Sequence, residues 1–208
     1  MKVKDFDTFY DYMKHRLDLR VYTMEKRVRK VLTDCKKIMT LENNPSEEDR
    51  IWLDQFANGL GVDICCGDFL VCGEDEAIGV DSATSAIGQT VTHVLGADYR
   101  CQGDELTFLK PGTLDFVVTN YFEALPNTLN ALHEWWRCLK VGGTLAIVCC
   151  NANAYSDKRL EGALGNLKRQ HTYTAVTISQ YLYRAEYTDV RVQATTHGTL
   201  RVSAVKKG

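Results

Sequence analysis

The chain has 208 residues, and its 45% hydrophobic and 25% charged residues are typical of a folded domain, which excludes wholesale disorder. No apolar run approaches the roughly 18 residues that cross a bilayer, and the first residues lack the apolar core of a secretory signal. The net charge of −2 is uneven, because residues 1–40 hold 11 basic and 6 acidic side chains, or +5, which leaves −7 for the rest. We expect a cytoplasmic protein with no membrane partner and no bulk charge that favours nucleic acid.

The eight cysteines form no CxxC pair. Disulfide frameworks belong to short secreted chains, and this chain shows no export signal. Cys65-Cys66 and Cys149-Cys150 lie inside apolar, strand-like runs. We interpret the cysteines as reduced thiols that are largely buried, and we predict no metal site.

Residues 5–39 repeat apolar side chains at steps of three and four, which predicts one long helix or two joined helices. The other face of this segment is basic. The preferred interpretation is a cap whose apolar stripe packs on the rest of the protein, and the alternative is a platform for RNA or another anionic partner. Asn44 as N-cap and Pro45 as first helical residue predict a further helix that ends at Gly59. The sequence thus predicts an N-terminal helical extension, residues 1–58, before a domain of residues 59–208.

From residue 60 onward, short apolar runs alternate with helical stretches, which predicts βαβ units and a largely parallel sheet. A helix is predicted over residues 128–140. Alternating residues on either side of His197-Gly198 predict a closing antiparallel hairpin. The predicted strands lie in residues 60–66, 76–81, 92–98, 114–120 and 144–150.

Acidic residues stand in three successive strand runs, at Asp63, Asp81 and Asp98. Ligands of open α/β sheets bind at the carboxyl ends of the strands. Asp63 can accept hydrogen bonds from turn amides or a ligand's ammonium group, Asp81 from both hydroxyls of a ribose, and Asp98 from an adenine amino group. Each of the three can instead cap the helix that follows its strand. The nicotinamide-type GxGxxG turn, the P-loop and the GxSxG elbow are all absent from the sequence.

Residues 60–207 resemble the class I S-adenosylmethionine-dependent methyltransferases in six segments that occur in the family's order. VDICCGD (62–68) is similar to the first, glycine-rich motif and AIGVD (77–81) to the second, ribose-binding one. The third is matched by HVLGAD (93–98), with Gly103-Asp104 as an alternative position. The remaining segments are LDFVVTNYFEAL (114–125), HEWWRCLKVGGTLAIV (133–148) and SQYLYRAEYTDVRV (179–192).

The resemblance implies an α/β fold: a Rossmann-like, mostly parallel sheet that ends in an antiparallel β-hairpin, with helices on both faces and the N-terminal helical extension. It also implies methyl transfer from S-adenosylmethionine to an acceptor that is a small molecule or an exposed group on a macromolecule. Candidate catalytic residues are His171 as a general base, or alternatively a surface histidine, and Tyr121. The implied cofactor-binding residues are Asp63, Cys65, Cys66, Gly67, Asp81, Ser82, Asp98, Tyr99, Thr119 and Asn120.

The sequence departs from the family pattern at several positions. Cys65 occupies the first glycine position of the first motif and Phe69 the last, Ala124 replaces a frequent histidine, and Val141 replaces a proline. These departures motivate a second hypothesis, a non-catalytic protein of the same fold that acts in binding or assembly. A third is another nucleotide-binding enzyme, such as a reductase. Tyr121, Tyr155 and Tyr173 are candidates for an aromatic acceptor pocket, or for ordinary packing.

Overall fold

The computed structural model describes residues 46–66, 70–71, 77–81, 98–154 and 171–208. The predicted helix over residues 5–39, its partner and the domain boundary therefore stay predictions. The described elements are α1 (Glu47–Asp54), β1 (Gly61–Ile64), β2 (Ala77–Asp81), β3 (Tyr99–Arg100), β4 (Leu114–Thr119), a 3₁₀ turn (Phe122–Ala124), α2 (Thr128–Cys138), β5 (Leu139–Cys150), a second 3₁₀ turn (Ala152–Ala154), α3 (Ala175–Arg184), β6 (Tyr187–Ala194) and β7 (Thr199–Lys206).

The seven described strands form one sheet in the order β3-β2-β1-β4-β5-β7-β6. Strands β1 to β5 are parallel to one another, whereas β7 is antiparallel to both β5 and β6. The strand order reverses between β1 and β4, which creates the switch point where ligands of such sheets bind. The predicted fold class, including the closing antiparallel hairpin, is confirmed for the described residues.

Helices cover both faces of this sheet. Because successive strand residues point to opposite faces, Val117 of β4 packs in one core with α2 and α3, and Phe116 and Val118 pack in another core with Leu53 of α1. Trp135 of α2 is the largest fully buried side chain among the described residues. The two cores fix β1 and β4 rigidly at the centre of the sheet.

Helix α1 differs from its prediction at both described ends. Its N-cap is Ser46, whose side chain accepts a hydrogen bond from the Asp49 N–H, and the helix ends at Asp54 and not at Gly59. Asp49 is buried and pairs with Arg201 of β7 at 2.7 Å. The residues after the helix turn toward the sheet instead, where the Leu60 N–H donates to the Asp115 carboxylate at 2.9 Å. Tertiary contacts thus set the helix length.

Helix α2 also ends earlier than predicted, at Cys138, and β5 begins at Leu139. Leu139 pairs with Leu114 of β4, and the register then shifts before Phe116 pairs with Thr144. The strand therefore includes the Val141-Gly142-Gly143 segment, which lies between the predicted helix and the predicted strand. Pairing with the distant β4 decides where β5 begins.

Replacement of Gly61 by alanine is expected to lower the free energy of unfolding. A Cβ at this position would overlap the Phe116 ring on the neighbouring strand. Overpacking of this kind costs about 1–3 kcal/mol, which exceeds the gain of about 0.4–1 kcal/mol from replacing a flexible glycine. Urea unfolding followed by circular dichroism measures the difference.

The control is Phe116→Leu, which makes room for the added methyl group. In the double variant, the loss of stability should be smaller than the sum of the two single losses. An unfolding free energy of Gly61→Ala equal to that of the wild type would contradict the steric argument.

Candidate functional site at the carboxyl edge of the sheet

The first turn begins at Cys65, directly after β1. Cys65 has φ of 58°, in the left-handed region that favours glycine. Its N–H donates to the Val80 carbonyl at 2.8 Å, which ties the turn to β2. Cys65 therefore has a backbone conformation that glycine adopts more readily than a residue with a side chain. Cys66 is buried, and Gly67 and Ser82 lie outside the described residues.

Asp63 lies in β1 and links this strand to Val71, beyond the first turn. It is fully buried, and its Oδ2 accepts a hydrogen bond from the Val71 N–H at 2.6 Å. Burial raises the pKa of Asp63 to about 7; the Val71 N–H lowers it and the charge of Asp81 raises it further. The Asp63 side chain thus holds Val71 close to β1, and burial disfavours the ionised form of its carboxyl group.

Asp81 ends β2 at the same edge, where it is 8% exposed. Its preceding residue, Val80, pairs with Ile64 at the end of β1. Burial raises the pKa of the Cys65 and Cys66 thiols, and the charges of Asp81 and Asp63 raise both further. Asp81 is thus close to the first turn, and its carboxylate only accepts hydrogen bonds, as a ribose hydroxyl pair requires.

Asp98 does not stand where the sequence predicts. It precedes β3, which is Tyr99–Arg100, and does not end the third strand. Its carboxylate accepts from the Gly79 N–H at 2.8 Å, and its own N–H donates to the Gly79 carbonyl at 2.9 Å. Gly79 lies two residues before the end of β2, so Asp98 lies level with the interior of β2 and not at the carboxyl edge of the sheet. The prediction that it ends the strand is wrong, because edge-strand pairing begins only at Tyr99.

Tyr99 is 48% exposed and lies level with Val80 in the sheet. Its ring stacks on the Phe108 ring, with centroids 4.2 Å apart and planes 10° apart. This stacked pair occupies the outer edge of β3. Its part in cofactor binding stays a prediction.

The alternative third-motif residues, Gly103-Asp104, do follow β3. The buried Gly103 carbonyl accepts from the Trp135 indole N–H at 2.6 Å. A Cβ on Gly103 would meet Ile64 Cγ2 at 2.6 Å and Leu125 Cδ2 at 2.7 Å. This close packing brings the Gly103-Asp104 segment to the end of β1, and which of the two positions serves in cofactor binding stays a prediction.

Thr119 ends β4 and is completely buried. Its hydroxyl donates to the Ile64 carbonyl at 2.7 Å and accepts from the Tyr121 N–H at 3.4 Å. The Thr119 side chain therefore links the carboxyl ends of β4 and β1. Asn120 and Tyr121 follow it, both half-buried, and lie at the switch point between these strands.

Glu123 is a buried carboxylate at this edge that the sequence analysis did not select. It is 2% exposed and sits in the 3₁₀ turn after β4. Burial raises the pKa of Cys149 near the end of β5, and Glu123 is the largest charge that raises it further. A signal was present in the sequence, since Glu123 is the one charged residue between Asn120 and Pro126.

His171 lies beside the same turn. Its N–H donates to the Glu123 carbonyl at 3.2 Å, and its Nε2 is 3.2 Å from the Pro126 carbonyl. Because a carbonyl only accepts, a hydrogen bond in this contact is donated by Nε2. The structure therefore places His171 beside the 3₁₀ turn that follows Tyr121, and the catalytic role of both residues stays a prediction.

Tyr173 belongs to the core and not to a pocket. It is 2% exposed, its hydroxyl shares a hydrogen bond with Thr128 at 2.6 Å, and its ring packs 5.1 Å from the Phe122 ring. The ordinary-packing interpretation holds for this tyrosine. Tyr155 lies outside the described residues.

The described residues form neither a metal-binding cluster nor a membrane-spanning helix. No three histidine, cysteine, aspartate or glutamate residues of the described chain lie close enough together to hold a metal ion. Among the same residues, none of the helices is long and apolar enough to span a bilayer.

Comparison by sequence found no matching family model and no matching curated protein. Comparison by structure found many solved methyltransferases. A SAM-dependent methyltransferase from Thermotoga maritima, described as a possible histamine N-methyltransferase, has TM-score 0.60 and 16% identity over 77% of this chain and 88% of its own. Another, from Archaeoglobus fulgidus, has TM-score 0.59 and 17% identity over 76% of this chain and 91% of its own.

Phosphoethanolamine N-methyltransferase 2 from Haemonchus contortus, solved with S-adenosyl-L-methionine, has TM-score 0.62 and 13% identity. The match covers 80% of this chain and 55% of that protein. At such identities the comparisons establish the architecture, which agrees with the strand order and with the antiparallel β7. The chain described here has the fold of the class I S-adenosylmethionine-dependent methyltransferases.

Proposed function

We propose that this protein is an S-adenosylmethionine-dependent methyltransferase whose acceptor is a small molecule or an exposed group on a macromolecule. The observation that carries the proposal is the arrangement of Asp63, Cys65 and Asp81 at the adjoining ends of β1 and β2. A clamped turn with glycine-like backbone geometry lies beside a buried carboxylate there. The fold shared with solved methyltransferases, one of them holding S-adenosyl-L-methionine, supports it.

The carboxylates at this edge fit the cofactor. Asp81 can accept hydrogen bonds from both ribose hydroxyls, and Asp104 replaces Asp98 as the group that accepts a hydrogen bond from the adenine amino group. Asp63 supplies a negative charge for an ammonium group, since its Oδ1 is buried and has no hydrogen-bond partner within the described residues. When bound, the cofactor supplies a methyl group that is already activated on a sulfonium.

The protein's own contribution is alignment and water exclusion, and where needed a base for the acceptor. Tyr121 and His171 flank the turn after β4, across the switch point from Asp81. His171 can take a proton from the acceptor at Nδ1 while the Pro126 carbonyl holds its Nε2–H. Thr119 keeps β4 and β1 in register beneath them.

Calorimetric titration of the purified protein with S-adenosylmethionine, S-adenosylhomocysteine and NADH tests this proposal. We expect micromolar binding of the first two ligands and none of NADH. Binding of NADH alone would favour a reductase and contradict the proposal. A radiolabelled methyl donor, incubated with amine, hydroxyl and thiol acceptors, then tests turnover.

The second candidate is a non-catalytic protein of the same fold. The observation that favours it is Cys65, where a side chain occupies a left-handed position beside the turn. This candidate predicts cofactor binding without methyl transfer to any acceptor class, or no binding by a folded protein. The same two experiments therefore separate the candidates.

A further inference from the structure

Asp63 is a buried acid with only half of its hydrogen-bonding capacity used. The residue is 0% exposed, Oδ2 accepts from the Val71 N–H at 2.6 Å, and Oδ1 has no hydrogen-bond partner in the described part of the chain. A buried carboxylate oxygen without a partner is costly. Either a proton on the carboxyl group or a nearby cation removes that cost.

Within the described residues, the groups that surround Asp63 leave its charge uncompensated. Its sheet neighbours are Gly79 on β2 and Val118 on β4, which carry no charge. The titratable groups that face it are Asp81 at the end of β2 and the Cys65 and Cys66 thiols of the following turn. Burial first, and then Asp81, raise the pKa of Asp63 to about 7 against the opposing Val71 N–H.

The charge of Asp63 also extends to the ligand edge. It raises the pKa of both turn thiols, after burial and together with Asp81. Coupling works in both directions, so a cation held beside this turn must favour the ionised form of Asp63. The protonation of Asp63 and the binding of a cation beside the turn are therefore electrostatically coupled.

We propose that Asp63 releases its proton to solvent when a ligand's ammonium group occupies this edge, so that affinity for the cofactor rises with pH across neutrality. This inference rests on the proposed function, because it takes the ligand to be S-adenosylmethionine or its product. It goes further in making occupancy of the site depend on pH through one residue. No bond other than the Asp63 O–H changes, and no co-reactant is needed.

Calorimetry with S-adenosylhomocysteine at pH 6, 7 and 8 tests the proposal on the full chain. The dissociation constant should be about tenfold larger at pH 6 than at pH 8, and about half a proton per ligand should be released at pH 7. Two buffers of different ionisation enthalpy report the proton release. The control ligand is 5′-methylthioadenosine, which has no ammonium group and should bind independently of pH.

The matched variant is Asp63→Asn, whose amide oxygen can still accept from the Val71 N–H. Its affinity for S-adenosylhomocysteine should be equal at pH 6 and pH 8. Melting temperatures give a second measure that needs no ligand. A carboxyl group whose pKa is raised by folding destabilises the folded state once it ionises, so the wild type should lose stability relative to Asp63→Asn between pH 6 and pH 8.

Each alternative result has a distinct meaning. Equal S-adenosylhomocysteine affinity at pH 6 and pH 8, with no proton release, would overturn this inference and leave the proposed function standing. A tenfold effect that persists in Asp63→Asn would assign the proton to another group, and an equal effect on 5′-methylthioadenosine would exclude the ammonium group. Absence of binding at all three pH values would overturn both proposals.

Discussion

Replacement of Asp81 by alanine is expected to weaken the binding of S-adenosylmethionine and S-adenosylhomocysteine about 100-fold. Asp81 is 8% exposed at the end of β2, where its carboxylate can accept two ribose hydroxyls. Each hydrogen bond to a charged group contributes about 1.5–3 kcal/mol, so the loss of both removes about 3 kcal/mol or more. Calorimetric titration of each ligand measures the change.

The variant should remain folded, because removal of Asp81 relieves its repulsion of Asp63. Circular dichroism and a urea transition check this. Asp54→Ala, which removes an exposed aspartate at the end of α1, is the matched control and should bind like the wild type. Unchanged affinity in a folded Asp81→Ala protein would show that the ribose does not bind at the end of β2.

Replacement of Trp135 by alanine is expected to cost about 3–5 kcal/mol of unfolding free energy, the range for buried aromatic side chains. The side chain is 0% exposed and packs 5.6 Å from the Phe122 ring. Its indole N–H also satisfies the buried Gly103 carbonyl. A domain typically has only about 5–15 kcal/mol of stability, so this change consumes much of it. Urea unfolding measures the loss.

Two further variants separate packing from hydrogen bonding. Trp135→Phe keeps most of the ring but leaves the Gly103 carbonyl without its donor, at a cost of about 1–3 kcal/mol. Trp136→Ala removes the adjacent, half-buried indole of the same helix, which packs at the margin of the core with the Lys206 ammonium 4.0 Å from its ring centroid. If Trp136→Ala proved as destabilising as Trp135→Ala, the central position assigned to Trp135 would be wrong.

Local pattern was sufficient to predict the main strands of the sheet. The apolar runs that contain β1, β2 and β4 are short and bounded by turn residues, and the alternating runs around His197-Gly198 form the hairpin β6–β7. Burial on both faces requires continuous apolar runs, and a half-exposed hairpin requires alternation. These requirements act within a few residues, so a sequence shows them directly.

Element ends were less predictable where distant residues decide them. The sequence predicted that α1 reaches Gly59. In the structure the helix ends at Asp54, and the Leu60 N–H donates a hydrogen bond to the Asp115 carboxylate on β4. The sequence also predicted that Asp98 ends a strand, but pairing with Gly79 places it before β3. In each case a partner supplied by another strand competes with the local signal, and local periodicity does not reveal that partner.

The sequence by itself determined the fold class and placed Asp63 and Asp81 near the ends of neighbouring strands, because parallel strands present their carboxyl ends at one edge. Only the tertiary structure decided which polar groups at this edge form hydrogen bonds within the protein. It joined Thr119 to the Ile64 carbonyl across 55 residues, Tyr173 to Thr128 across 45 and Trp135 to Gly103 across 32. It also left one oxygen of Asp63 buried without a hydrogen-bond partner in the part of the chain that the structure describes. Hydrogen-bond partners are fixed by three-dimensional proximity, whereas residue order specifies only the face and the end of each element.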